Sequence, residues 1–229
     1  MNKVRYLKAA LKASRTYRKF KDATMVGRSQ YIENLAMAAS VAHSVSGSVV
    51  ECGTWRGGMA AGLIETIGTD RQYFFFDSFE GLPEAKEVDG PAAIAYQANV
   101  ASEMYRDNCR VSLGDFSQVI SRTKLPASHC HTVKGFYENT LPAFDETALA
   151  PIAVLRLDAD WYESTIICLR KFWKSVAEGG IILIDDYHHW DGCTKAVNEF
   201  FATNDPPQRI SQGPIGRVTY IIKSGATNS

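Results

Sequence analysis

The chain lacks an excess of charge of either sign: 25 Lys and Arg face 25 Asp and Glu across 229 residues. Without a net field nothing holds a polyanion along the whole surface, so nucleic acid is not an expected partner. Cysteines are few, and Cys52, Cys109, Cys130, Cys168 and Cys193 show no CxxC spacing. This odd, scattered set argues against a zinc ribbon and against a disulfide framework, and it fits a reducing cytoplasm. Long apolar runs are also missing. No stretch approaches the roughly 18 residues of a membrane span, and the first residues lack the apolar segment of a secretory signal. No repeat, low-complexity tract or Pro/Gly/Ser-rich linker divides the chain, so a single domain is expected over 1–229.

Charge is uneven in one place. "MNKVRYLKAALKASRTYRKFK" carries Lys3, Arg5, Lys8, Lys12, Arg15, Arg18, Lys19 and Lys21 before the first acid, Asp22. A basic helix can lie on an anionic surface, but the favoured reading is a solvated helix packed through Leu7, Leu11 and Tyr17. With the helical spacing of "YIENLAMAASVAHSV" it makes an N-terminal helical cap over 1–47.

From residue 48 onward apolar runs alternate with helical segments. "SVVECG", "QYFFFDS", "HCHTVKG", "IAVLRLDAD" and "IILIDD" read as strands. "GGMAAGLIETIG" reads as a helix closed by Gly68, and "STIICLRKFWKSVAEGG" as one closed by Gly179 and Gly180. Ser112, three residues before Asp115, resembles a capping box and predicts a helix start. "CTKAVNEFFAT" is a further helix, "RISQ" and "RVTYIIK" joined by "GPIG" form a hairpin, and 79–110 is irregular. Strand and helix in alternation predict an α/β fold with a doubly wound, mostly parallel sheet and a C-terminal antiparallel hairpin. Ligands of such sheets bind beyond the carboxyl ends of the strands.

Chemistry-bearing residues gather at those ends. "ECGTWRGG" is a glycine-rich turn between the first strand and its helix, with Gly53, Gly57 and Gly58, although the Gly-x-Gly-x-x-Gly fingerprint is absent. Asp77 ends the second strand, where a carboxylate accepts hydrogen bonds from the ribose of an adenosine cofactor. Capping of the turn "DSFEGLP" is the competing reading. "LDADW" places Asp158 and Asp160 at one strand end, and "ILIDDYHHW" places Asp185 and Asp186 at another, expected to be its neighbour. Four carboxylates in one cleft repel, so one or more must hold a proton unless a divalent cation intervenes. All-oxygen ligation favours Mg²⁺, Mn²⁺ or Ca²⁺ over zinc. His188 and His189 are expected to line the cleft or face solvent.

In order and spacing, "TMVGRSQYIENL", "VECGTWRGG", "FDSFEGLP", "VKGFYENTLP", "LRLDADWYEST" and "GGIILIDDY…GCTKAVNEF" resemble the macrocin O-methyltransferase family from about Thr24 to Phe200. These are Rossmann-like class I methyltransferases that use S-adenosylmethionine to methylate hydroxyls, mostly on sugars of natural products. The resemblance implies Asp158, Asp185 and Asp186 as Mg²⁺ (or Mn²⁺) ligands and Asp160 as the general base. It implies Glu51 with the Gly53, Thr54, Trp55 and Gly57 turn along the methionine part of the cofactor. Asp77 and Ser78 would hold the ribose, and Gly135 and Phe136 would lie beside the adenine. Residues 79–110 would be a lid over a small-molecule acceptor, a sugar hydroxyl, and the enzyme a cytoplasmic homo-oligomer. Thr54 stands where an apolar residue is expected, and His188–His189 have no family counterpart.

Three rivals remain. "DAD" also reads as the metal-binding motif of a glycosyltransferase, which accounts for neither "IDDY" nor "ECGTWRGG". A catechol or phenol acceptor makes the same bidentate demand on a metal as vicinal sugar hydroxyls. A non-catalytic protein on this fold has no reason to retain four carboxylates in one cleft.

Overall fold

The computed structural model describes residues 3–149, 151–203 and 206–225; the ends of the expected single-domain span, 1–2 and 226–229, lie outside them. Seven strands form one sheet: β1 (Ser48–Cys52), β2 (Tyr73–Asp77), β3 (Cys130–Lys134), β4 (Ile152–Leu157), β5 (Val176–Ile184), β6 (Ser211–Gln212) and β7 (Thr219–Ile222). Their order is β3-β2-β1-β4-β5-β7-β6, parallel from β3 to β5, with β7 antiparallel to β5 and to β6. The chain steps outward from β1 to β3, then returns to build β4 and β5 on the other side. The crossovers diverge between β1 and β4, which opens a crevice at their carboxyl ends.

The helices are α1 (Lys3–Phe20), α2 (Arg28–Ala42), α3 (Gly58–Ile67), α4 (Pro91–Ala98), α5 (Leu113–Ile120), α6 (Tyr137–Thr140), α7 (Tyr162–Phe172) and α8 (Asp191–Ala202). Alternation along the strands divides the core between the two faces of the sheet. Val49, Val154, Ile181 and Leu183 pack with α1, α2, α3 and α5. Val50, Leu155, Ile182 and Ile184 pack with α7 and α8. Both faces are covered, so β1 and β4 are buried along their whole length. Glu51 and Arg156 are therefore enclosed, paired in register on neighbouring strands.

The capping box is present at α5: Ser112 Oγ accepts from the Asp115 N–H at 3.1 Å, and Asp115 Oδ2 accepts from the Ser112 N–H at 3.2 Å. The stretch from Ser164 to Gly180 departs from its expected single helix. α7 stops at Phe172, and a short 3₁₀ turn over Trp173–Ser175 leads into β5, which runs through Gly179 and Gly180. These glycines form a bulge. Ile152 pairs with Val176 but Val154 with Ile181, so β5 carries extra residues there, and Gly179 has φ +75°. The segment 79–110, expected to be irregular, contains α4, started by Pro91 in its first turn.

α2 and α3 approach closely through Gly62, whose added Cβ would collide with the Tyr31 hydroxyl and lie 2.9 Å from Leu35 Cδ1. Replacing a helix-interior glycine with alanine normally stabilises by about 1 kcal/mol, whereas overpacking a core costs about 1–3 kcal/mol. Overpacking should win. Gly62→Ala is expected to lower the urea midpoint, and a raised midpoint would show that the α2–α3 contact yields.

Candidate active site

β4 and β5 end side by side. The N–H of Asp158 continues the ladder to Cys52 O, and that of Asp185 to Leu157 O, both at 2.9 Å. Pairing thus runs one residue past each strand and brings Asp158 and Asp185–Asp186 together at the crevice beside β1.

Beneath them lies a buried guanidinium. Arg156 is fully enclosed and its Nη1 donates to Glu51 Oε1 at 2.8 Å and to Asp158 Oδ2 at 3.0 Å, while Nη2 lies 2.7 Å from Asp185 Oδ1. Asn34 of α2 donates to the same Asp185 oxygen at 3.3 Å. One cation is thus shared by three carboxylates. Burial pushes Glu51 up to about 8, against the pull of Arg156. Burial raises Asp158 to about 6, again opposed by Arg156. Asp160 and Asp186 are held well above the usual carboxylate range, by burial first and then by neighbouring carboxylates. The crevice carries more negative charge than the protein compensates.

Asp160 has φ +55°, a conformation a non-glycine residue adopts at a cost. Its N–H donates to Asp186 Oδ2 at 3.2 Å, and its Oδ1 accepts from Trp190 Nε1 at 3.0 Å. The Trp190 N–H in turn donates to Asp186 O at 3.1 Å. The loops after β4 and β5 are therefore tied to each other. One oxygen each of Asp158, Asp160 and Asp186 lies within 4.8 Å of the other two, close enough to share a cation. Asp185 stands apart from this trio, with Oδ1 on Arg156 and Asn34.

Two cavities meet at Asp158 and Asp160, which line both. The first is bounded by Gly53, Trp55, Asp77, Ser78, Phe136 and Tyr137. The backbone N–H groups of Thr54 and Trp55 donate to Asp77 Oδ2 at 2.7 and 2.9 Å, which folds the turn after β1 onto the end of β2. Asp77 Oδ1 accepts from the Phe79 N–H at 2.7 Å, so its carboxylate also organises the turn that follows. Gly53, at φ +83°, admits no Cβ, which would run into the Asp158 carbonyl. Trp55 Nε1 is buried and has no hydrogen-bond partner among the described residues. A carboxylate suited to a diol, apolar walls from Phe136 and Tyr137, and an unspent indole N–H fit a nucleoside cofactor. Of the sequence-predicted residues, Thr54, Gly57 and Gly135 shape the turns around this cavity and are not part of its lining. Glu51 lies in the Arg156 network beneath it.

A scan against protein-family models matches residues 8–213 to Macrocin-O-methyltransferase (TylF). The chain belongs to the macrocin O-methyltransferase family. This family member is an S-adenosylmethionine-dependent O-methyltransferase. It is 32% identical over 196 residues to the 8-demethyl-8-(2,3-dimethoxy-alpha-L-rhamnosyl)-tetracenomycin-C 4'-O-methyltransferase of Streptomyces olivaceus, covering 82% of this chain and 72% of that protein. It is 30% identical over 190 residues to the demethyldecarbamoylnovobiocin O-methyltransferase of Streptomyces niveus, covering 80% and 69%. The solved structure of the O-methyltransferase NovP shares the fold, with a TM-score of 0.72 at 24% identity, covering 96% of this chain and 98% of that one.

In this methyltransferase the second cavity, of about 270 Å³, has Asp158, Asp160, Asp185 and Asp186 in its lining and Tyr96 and Trp190 among its other walls. His189 lines it too, with its ring centroid 4.4 Å from that of Trp190, while His188 is exposed beside Gln212. Sequence reasoning passed over Arg156 and Trp190. For Arg156 a signal was available: a lone cation inside the apolar run "IAVLRLDAD", two residues from Asp158, is on a buried strand and must be paired. For Trp190 nothing in the spacing announced a bond to Asp160, thirty residues earlier. Removing the shared cation should leave buried carboxylates uncompensated. Arg156→Met is expected to cost about 3–5 kcal/mol in urea unfolding, with part recovered by adding Glu51→Gln. A loss below about 1 kcal/mol in the single variant would show that the carboxylates take up protons at no cost.

Proposed function

We propose that this enzyme methylates a hydroxyl of a sugar on a small-molecule natural product, with a divalent cation, Mg²⁺ or Mn²⁺, at the carboxylates. One observation carries the reading: Asp158 and Asp160 line the cofactor cavity and the second cavity alike, so methyl donor and acceptor would meet at the converging carboxylates. The sugar-hydroxyl acceptor is supported by the relatives' names, which describe a rhamnosyl 4'-O-methyltransferase and, at 29% identity, a mycinamicin III 3''-O-methyltransferase of Micromonospora griseorubida. The donor set is all oxygen, short of compensating charge and closely spaced, which fits a hard cation.

S-adenosylmethionine supplies the electrophilic methyl group, and a divalent cation held here would supply Lewis acidity to an acceptor hydroxyl. Asp158 and Asp186 would hold the cation, with Asp185 contributing Oδ2, which makes no hydrogen bond among the described residues. Asp160 would take the acceptor's proton through Oδ2, because Oδ1 is engaged by Trp190. Asp77 and Ser78 would hold the ribose, and Phe136 would cover the adenine. Alignment of the acceptor oxygen with the methyl group would fall to the walls that Tyr96 and Trp190 provide, and fixed alignment of this kind lowers the barrier. Residues 79–110, which carry Tyr96, would form the lid over the acceptor.

Calorimetry with S-adenosylhomocysteine and Mg²⁺ tests this. Wild type is expected to bind both, Asp186→Ala to keep the nucleoside and lose the cation, and Asp160→Asn to keep both while methyl transfer falls by about 10²–10⁴-fold. A protein that binds S-adenosylhomocysteine but no divalent cation would overturn the metal assignment.

The carboxylate shifts predict a pH dependence. Asp158 rises to about 6 on folding from about 4 in the unfolded chain, and Asp160 and Asp186 shift the same way. A raised pKa contributes stability that is present below the unfolded value and lost as pH climbs through the folded one. Metal-free protein should therefore lose this contribution between about pH 4 and pH 6 and beyond. Added Mg²⁺ should raise Tm more at pH 8 than at pH 5, and an equal rise at both would contradict ionisation-linked binding.

A further inference from the structure

Trp190 is not accounted for by cofactor or cation. It follows "DDYHH" at the start of α8, is 8% exposed, and meets Trp161 edge to face at 5.1 Å and Tyr96 of α4 at 5.7 Å between ring centroids. A buried indole needs an acceptor for its N–H. Here that acceptor is Asp160 Oδ1 at 3.0 Å, while the Trp190 N–H of the main chain is tied to Asp186 O. The ring is thus fixed at both ends, by packing and by the backbone, and it fixes one oxygen of Asp160.

Asp160 stands among groups that would otherwise draw it elsewhere. One of its oxygens lies within 4.8 Å of one oxygen each of Asp158 and Asp186. A carboxylate so placed, free to rotate, would offer both oxygens to any cation bound there, and a carboxylate held on a cation is a poorer proton acceptor. The indole N–H opposes this by occupying Oδ1, which leaves Oδ2 as the oxygen it does not engage. Its bond is charge-assisted and directional, and the aromatic contacts to Trp161 and Tyr96 keep it from following the carboxylate.

We infer that Trp190 is a positioning residue whose indole N–H holds Asp160 back from the cation and so keeps it a base. The inference rests on the metal-dependent reading above and concerns residues of this chain alone. It makes an asymmetric prediction: loss of the N–H should tighten the cation while slowing methyl transfer. A merely structural tryptophan predicts the opposite sign, since loosening the site would weaken cation binding.

The test replaces Trp190 by β-(3-benzothienyl)alanine, which keeps the bicyclic shape and puts sulfur in place of N–H. Mn²⁺ affinity is measured by calorimetry on the S-adenosylhomocysteine complex, in wild type and in Asp160→Ala. Expected are nucleoside binding within twofold of wild type and Mn²⁺ binding tighter by about tenfold, the scale of one hydrogen bond to a charged group. The gain should vanish in the Asp160→Ala background, which ties it to that carboxylate. Trp190→Phe, more readily made, should shift Mn²⁺ affinity in the same direction. Unchanged or weaker Mn²⁺ binding in the isostere, with wild type binding normally, would overturn this inference alone. Wild type that binds S-adenosylhomocysteine but no Mn²⁺ would overturn the metal reading and this inference with it.

Discussion

The guanidinium of Arg156 is the constraint on which the rest of the site depends. It lies fully buried on β4, one strand from Glu51 and two residues before Asp158, with Asp185 at the end of β5 against its other nitrogen. Enclosing a charge is costly, and replacing a buried ion pair by apolar side chains often leaves a protein as stable or more so. What such a cation provides here is position: it fixes an oxygen of Glu51, of Asp158 and of Asp185 relative to the sheet. Among the described residues it also leaves Asp160 and Asp186 without a cation of their own. The fold therefore places excess negative charge at one point, the crevice between the diverging crossovers.

Around that point the loops are tied together. The turn after β1 is drawn to Asp77 of β2 by two backbone N–H groups, and the loops after β4 and β5 share the bonds that run between Asp160, Asp186 and Trp190. The segment carrying α4 joins the assembly through Asp89, whose Oδ1 accepts from the Tyr162 N–H at 2.7 Å, and through Tyr96 against Trp190. A group reaching the crevice from solvent meets this segment on one side and the carboxylates on the other. Loops bonded to one another in this way can hold a reacting oxygen in line with a methyl group, which free loops cannot do at comparable rates.

Where a residue's role depends on its own strand or helix, it could be read from the sequence. Apolar runs of strand length separated by helical spacing led to the sheet, and the Ser112–Asp115 spacing led to the start of α5. Asp158, Asp160, Asp185 and Asp186 could be placed together because each closes a run of a buried strand. Gly179 and Gly180 misled, since a glycine pair after a helical pattern looks the same whether it caps the helix or bulges the next strand. The difference lies in the pairing with Ile152 and Val154 on β4, which no local pattern contains.

By itself the sequence determined the alternation of elements, the carboxylate-bearing strand ends and the family, because periodicity, turn residues and motif spacing are local properties of a chain. The tertiary structure decided which carboxylate faces which partner. Asp185 went to Arg156 and Asn34, Asp160 to Trp190, and Glu51 into the buried network. Those pairings join residues far apart in the chain and depend on strand order and on the hand of the crossovers. They are set only when the sheet closes and side chains compete for the few buried donors within reach.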